Sequence, residues 1–166
     1  MVPHQYYEAF VLGNYDDFKN NIDCIRRAFN VSVAASHLAD HYFEFYKKNE
    51  PPKVAQYSKI GDYVRHITQN TNGAFKDIRS ISNAYKHLYT GLDPRKAQYS
   101  SISSAGTIEI AIVEKEDVKK LYQDFSDTKK TQYTVFYTRK TGEQIEFLPT
   151  LEKVVGFWER EIVNID

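Results

Sequence analysis

The stretch from Phe18 to Phe43 constrains the fold most. Phe18, Ile22, Ile25, Phe29, Val33 and Ser36 recur at three- and four-residue spacing, and the pattern runs on to Phe43. That spacing lays one apolar stripe along an α-helix, and the stripe has to be covered by other elements. It predicts a single long helix over about Asn14 to Lys48. Asn14, with Asp16 and Asp17 behind it, is a start signal, because anionic side chains suit the positive end of a helix. Pro51-Pro52 ends the helix, since proline lacks the N–H and disfavours helical geometry in the residue before it.

Two more helices follow in the same period. One is expected over about Val54 to Gln69, with Gly61 weakening it, and another over about Ala74 to Tyr89. Asn70-Thr-Asn-Gly73 reads as the loop between them, and Thr90-Gly91-Leu-Asp-Pro94 as the stop, glycine at a C-cap and proline beyond it. Residues 95–106 are polar and serine-rich and read as a loop. The period then changes from 3.6 to 2. Ile108, Ile110 and Ile112 alternate with Glu109 and Ala111, which predicts a strand. Tyr133 to Thr138 and Gln144 to Leu148 are the second and third strands, joined by a turn at Thr141-Gly142. The segment 116–125 is expected as a short helix. Pro149-Thr150 opens a last helix with Leu151, Val154, Val155, Trp158 and Ile162 on one face.

The expected architecture is mainly α: a four-helix bundle with a three-stranded antiparallel β-meander inserted between the third and last helices, α+β by content. At 166 residues the chain reads as one domain. The bundle comprises 14–91 and 150–164, and the insertion about 107–148. A chain of this size buries about 70% of its unfolded surface and needs no covalent staple. Three strands alone cannot cover their apolar face, so the sheet is expected to pack on the bundle or to pair across a dimer.

Charge and cysteine content exclude several functions. With 22 basic and 22 acidic side chains the formal charge is zero, which argues against broad, non-specific binding to nucleic acid or anionic membrane. The one cysteine, Cys24, allows no intramolecular disulfide and no cysteine-based zinc site, and it reads as a small buried hydrophobe in the long helix. The N-terminus lacks the basic and apolar regions of a secretory signal, and no apolar run reaches the roughly 18 residues of a membrane span. A reducing cytoplasm is the expected location, so the Asn30-Val-Ser32 sequon is expected to stay unmodified. Thirteen tyrosines and 10 phenylalanines read as core and dimer packing rather than base stacking. No P-loop, GxGxxG or GxSxG occurs.

One segment carries a constellation suited to chemistry, Arg79-Ser-Ile-Ser-Asn83-Ala-Tyr-Lys86-His87. On a helix it places Arg79, Asn83, Lys86 and His87 near one side. Metal-independent RNA cleavage needs a group that titrates near neutrality, which histidine supplies, and a fixed cation for the phosphate, which arginine supplies with a bidentate fork. Asn83 would hold the imidazole tautomer or the phosphate. The plain structural alternative has His87 at a helix C-terminus, where a cation is favourable, and Arg79 paired with Asp77 or with an acid of another helix.

The helix IRSISNAYKHL, with AASHLADHYF on the long first helix, resembles the signature helix of HEPN-type domains. These are small helical bundles of toxin–antitoxin, abortive-infection and RNA-processing systems. In their active members an arginine, a polar residue after it and a histidine four to six positions on form an RNase site, and two copies of the motif meet across a dimer. The resemblance covers about residues 14–90 and the last helix. It implies Arg79 and His87 as catalytic candidates, with Asn83 ancillary, and needs no cofactor. Here seven residues separate Arg79 from His87, and Ser80 follows the arginine. Many HEPN-like domains are non-catalytic binding modules. An RNA-directed module of a bacterial defence or stress system is therefore expected, as a homodimer with RNA or a protein as partner and no membrane. A metal-independent endoribonuclease and a module without chemistry both stay open.

A third reading is a metal-dependent bundle hydrolase. His37, Asp40 and His41 lie within one turn, and Asp62 and His66 share the i, i+4 spacing on the next helix, a geometry from which facing helices build metal sites. It is similar to the DinB-like metal bundles. The same groups are equally explained as satisfied polar residues, or as neighbours that tune His87. Lys119, Lys120, Lys129, Lys130, Arg139 and Lys140, interleaved with Tyr122, Tyr133 and Tyr137, could track phosphates. Glu114, Glu116, Asp117, Asp124 and Asp127 beside them favour a solvated rim.

Overall fold

The computed structural model describes residues 1–87, 99–115 and 130–163. A helical layer opens the chain: α1 (Pro3–Tyr6), a π-helical segment (Tyr7–Leu12) and α2 (Gly13–Lys19). After a break comes α3 (Ile25–Asn49), then a 3₁₀ turn (Pro51–Val54), α4 (Ile60–Asn70) and α5 (Ala74–His87). A second 3₁₀ turn (Ala105–Thr107) leads into β1 (Ile108–Lys115), β2 (Lys130–Thr138), β3 (Gln144–Glu146) and α6 (Phe147–Val163). The chain is thus mainly helical, with a three-stranded antiparallel sheet in the order β1-β2-β3 among the described residues.

The single long helix expected over 14–48 is two helices. Asn20-Asn21 stands at the break, and asparagine is a poor helix former that closes turns with its own side chain. Asn21 donates its amide to Phe18 O at 2.8 Å and its side chain to Asp17 O at 3.2 Å. Cys24 is the extended N-cap of α3, half-buried rather than a core residue. The break leaves the Ile22 carbonyl free to accept the amide of Val135 at 2.9 Å, which ties the sheet to this corner. Asn14 does not start a helix. It lies inside α2 and donates back to Phe10 O at 2.7 Å. The helical residues before it follow from Tyr7, Val11 and Phe18, which share one buried face at i, i+4 and i+11.

The second helix begins at Ile60 rather than Val54 because proline-led 3₁₀ geometry carries through Val54, and Ser58 Oγ then donates to Asp62 in the first turn of α4. That bond, with Lys59 and Arg65 nearby, holds the Asp62 carboxyl below the usual range. At the α4–α5 turn Asn72 and Gly73 have φ of 50° and 86°, left-handed geometry that asparagine tolerates and glycine adopts freely. The stop expected at residues 90–94 and the helix expected at 116–125 lie outside the described residues. The third strand is shorter than expected, since Phe147 and Leu148 already belong to α6.

Apolar stripes of α3, α4, α5 and α6 meet in one core. Trp158 is fully buried among Tyr42, Tyr63, Phe75 and Phe157, with ring centroids 6.0, 6.4, 6.3 and 5.2 Å away. Phe18 and Phe147 meet edge to face at 5.0 Å and close the end under the sheet. The sheet packs its near end on this body. Ile108 opposite Tyr137 and Val135 opposite Ile110 share one face, and Ile108, Val135 and Tyr137 are buried while Ile110 is exposed. No described helix is long and apolar enough to cross a membrane.

Candidate functional site

When the apolar stripes of α3 and α5 pack, the polar residues flanking each stripe are brought face to face. Ser36, His37 and Asp40 flank the stripe of α3. Arg79, Asn83 and Lys86 flank that of α5 at i, i+4 and i+7, one side of a helix. Arg79 grips Asp40 with both terminal nitrogens, Nη1 to Oδ2 at 3.1 Å and Nη2 to Oδ1 at 3.2 Å. Nη1 also donates to the Ser36 carbonyl at 3.4 Å. The ion pair is part-exposed, 30% for Arg79 and 43% for Asp40.

One turn along, the Lys86 ammonium donates to Nε2 of His37. This contact requires a neutral imidazole with its lone pair on Nε2. Burial holds the His37 pKa below its ordinary value, the Lys86 and Arg79 charges push it the same way, and Asp40 opposes them. Burial and then Arg79 lower the Lys86 pKa too, again against Asp40. Asn83 is exposed between the two cations on α5.

Of the catalytic candidates, then, Arg79, Asn83 and Lys86 share one face. His87 is the last residue of α5, and its side chain lies outside the described residues. The acid that Arg79 finds is on another helix, as the structural alternative had it, and it is not Asp77. The residue after Arg79 is structural: Ser80 is buried, donates to Lys76 O at 2.7 Å and accepts the amide of Ser101 at 2.9 Å.

The candidate metal ligands do not converge. His37 and Asp40 belong to the α3–α5 face. His41 turns to the N-terminus, 3.0 Å from Met1 O, with its ring 5.3 Å from that of Tyr6. His66 packs on Tyr57 and Tyr63 at 5.3 and 6.3 Å and meets Asn70 instead of an acid. Among the described residues no group of three or more His, Cys, Asp or Glu could hold a metal ion.

Of the basic cluster around the strands, most lies outside the described residues, which include only the backbone of Lys130. Lys119, Lys120, Tyr122 and Lys129 lie outside the described residues. Arg139 is engaged twice, by Asp77 and by Glu143 at 2.7 Å. Asp77 is 2% exposed and receives Arg139 Nη2 at 2.5 Å and the Tyr137 hydroxyl at 2.8 Å. Burial and the Asp77 charge raise the Tyr137 pKa, while hydrogen bonds to Asp77 hold the Arg139 proton more firmly. This network fastens β2 to α5 and, through Thr150 at 3.1 Å from the Tyr137 hydroxyl, to α6. Sequence reading missed it, although an aspartate three residues inside α5 on its apolar side was a usable signal.

No protein-family model, no curated protein and no solved structure matches the chain.

Proposed function

We propose that the chain is a HEPN-like RNA-directed module that binds a phosphate-bearing strand at the α3–α5 face without cleaving it. The observation that carries this reading is that both cations of the face already have partners in the chain, Arg79 in Asp40 and Lys86 in His37. Cleavage asks for an imidazole free to take a ribose hydroxyl proton and a guanidinium free to clamp the pentacoordinate phosphate. Here the Arg79 fork is spent on Asp40, and His37, the imidazole described on this face, gives its lone pair to Lys86, while the His87 side chain lies outside the described residues. Binding asks for less. The Lys86 ammonium has three donors, one of which goes to His37, and the exposed Asn83 amide beside it adds neutral donors. The formal charge of zero limits such binding to this local face. In this reading two copies pair, as HEPN-type domains do, and the module serves a defence or stress system.

The test incubates purified wild type and Lys86→Glu with structured and unstructured RNA in EDTA, reading cleavage on gels and binding by fluorescence anisotropy. Intact RNA, bound by wild type and released by Lys86→Glu with a salt slope lower by about 1, supports the reading. Cleavage by wild type that is lost in His87→Ala or His37→Ala overturns it in favour of a metal-independent endoribonuclease. Absence of binding by wild type moves the weight to a protein partner.

A further inference from the structure

A second, separate polar cleft lies where the α4–α5 turn approaches α6. It is an open depression of about 190 Å³, lined by Asn72 of the turn and by Glu152, Lys153, Gly156 and Arg160 of α6, among others. We propose that this cleft is an oxyanion site for a single phosphate group carried by a small molecule.

Three observations carry the proposal. First, Lys153 and Arg160 are one heptad apart on α6, on the same side of the helix, and neither makes an ion pair among the described residues. Arg139 and Arg79, by contrast, are both committed to acids. Second, Gly156 sits in the interior of α6, where glycine costs about 1 kcal/mol relative to alanine. A Cβ there would meet nothing but Arg160 Nη1, at 3.7 Å. No packing between helices calls for this glycine. Its missing side chain leaves the backbone bare beside the guanidinium, in the lining of the cleft. Third, Asn72, an exposed lining residue with φ 50°, makes no side-chain hydrogen bond within the described residues, which leaves its amide donors available to a ligand.

Size and charge select the ligand. Drug-sized ligands occupy pockets of about 300–1,000 Å³, so this cleft takes a group of phosphate size and leaves the remainder of the ligand outside. Arginine matches such a group with a bidentate fork, and lysine adds a point charge. Glu152 on the rim is the one acid among the lining residues, and it disfavours a polyanion relative to one phosphate.

The experiment follows backbone amide shifts of the full chain while inorganic phosphate is added at constant ionic strength, with chloride as control, and derives a Kd. The expected result is saturable shifts at Asn72, Gly73 and Gly156 with phosphate and none with chloride. Arg160→Gln should weaken binding about tenfold or more, the scale of one charge-assisted hydrogen-bonded contact. Glu152→Gln should tighten it. Lys86→Glu should leave it unchanged, which separates this site from the α3–α5 face. Lys153, Arg160 and Glu152 are exposed, so their variants keep the fold, and an unchanged melting temperature verifies that. Equal shifts with chloride, or binding indifferent to both Arg160→Gln and Glu152→Gln, overturns the proposal.

Discussion

Arg79 on α5 and Asp40 on α3 form a two-point ion pair across the helix interface, with Nη1 to Oδ2 at 3.1 Å and Nη2 to Oδ1 at 3.2 Å. The pair does two things at once. It holds the flank of the α3–α5 packing, and it withdraws the guanidinium from any ligand. Asp40→Asn separates these roles. A half-exposed pair contributes up to about 1 kcal/mol, and the melting temperature of the variant should fall by roughly 2–4 °C. With its carboxylate partner gone, Arg79 should turn to ligand, so RNA binding at low salt should strengthen and the salt slope rise by about 1. Calorimetry and anisotropy on the same preparation check both. Weaker RNA binding in Asp40→Asn would count against the face as the binding surface.

The Asp77 network should be far more costly to break. Asp77 is 2% exposed and holds both Arg139 and the Tyr137 hydroxyl. Asp77→Ala leaves Arg139 with only Glu143 and the Tyr137 hydroxyl with only Thr150, and should cost about 2–3 kcal/mol in urea unfolding. Tyr137→Phe removes one hydroxyl and leaves the ion pair, and should cost about 1 kcal/mol. Non-additivity in the double variant would confirm that the two side chains act as one unit.

His37 gives the fold a pH dependence of definite sign. Its folded pKa lies below the ordinary value of 6.5, with burial the largest cause. The unfolded chain then binds more protons than the folded one, so this group's contribution is fully present above about pH 6.5 and is lost as pH falls through and below that value. Wild-type stability should therefore decline on acidification, and His37→Gln should flatten the decline. An NMR titration of the imidazole should give a pKa below 6.5 in wild type and a higher one in Lys86→Met. A pKa that stays put in Lys86→Met would show that the lysine does not act on this ring.

The only tryptophan is an internal reporter. Trp158 is fully buried against Tyr42, Tyr63, Phe75 and Phe157. Its emission should be blue-shifted and insensitive to iodide in the native state, and both properties should change together with far-UV dichroism on unfolding. Trp158→Ala should cost about 3–5 kcal/mol through lost burial and the cavity left behind.

What could be read from residues alone was whatever local periodicity carries. The 3.6-residue recurrence around Phe29 and Val33, the switch to alternation at Ile108, Ile110 and Ile112, and the glycine turn at Gly142 are each written within about a dozen residues. Helices, strands and their order follow from them. The helix break at Asn20–Cys24 was also written locally, in Asn20-Asn21, but the apolar spacing of Ile22 masked it. Its use emerges only in three dimensions, where the Ile22 carbonyl accepts the Val135 amide at 2.9 Å across more than a hundred residues of chain. Partner choice was not local either. Asp77 and Asp40 were both available to Arg79, and helix geometry decides between them. Asp77 lies on the apolar side of α5 and faces the sheet, while Asp40 lies on the α3 flank that Arg79 meets. Sequence by itself determined the elements and their amphipathic faces, because backbone propensity and burial periodicity act between near neighbours. The pairing of Lys86 with His37, the dispersal of His41 and His66, and the cleft over Gly156 were decided by tertiary packing, because only packing sets which flanks of distant helices come within hydrogen-bonding distance.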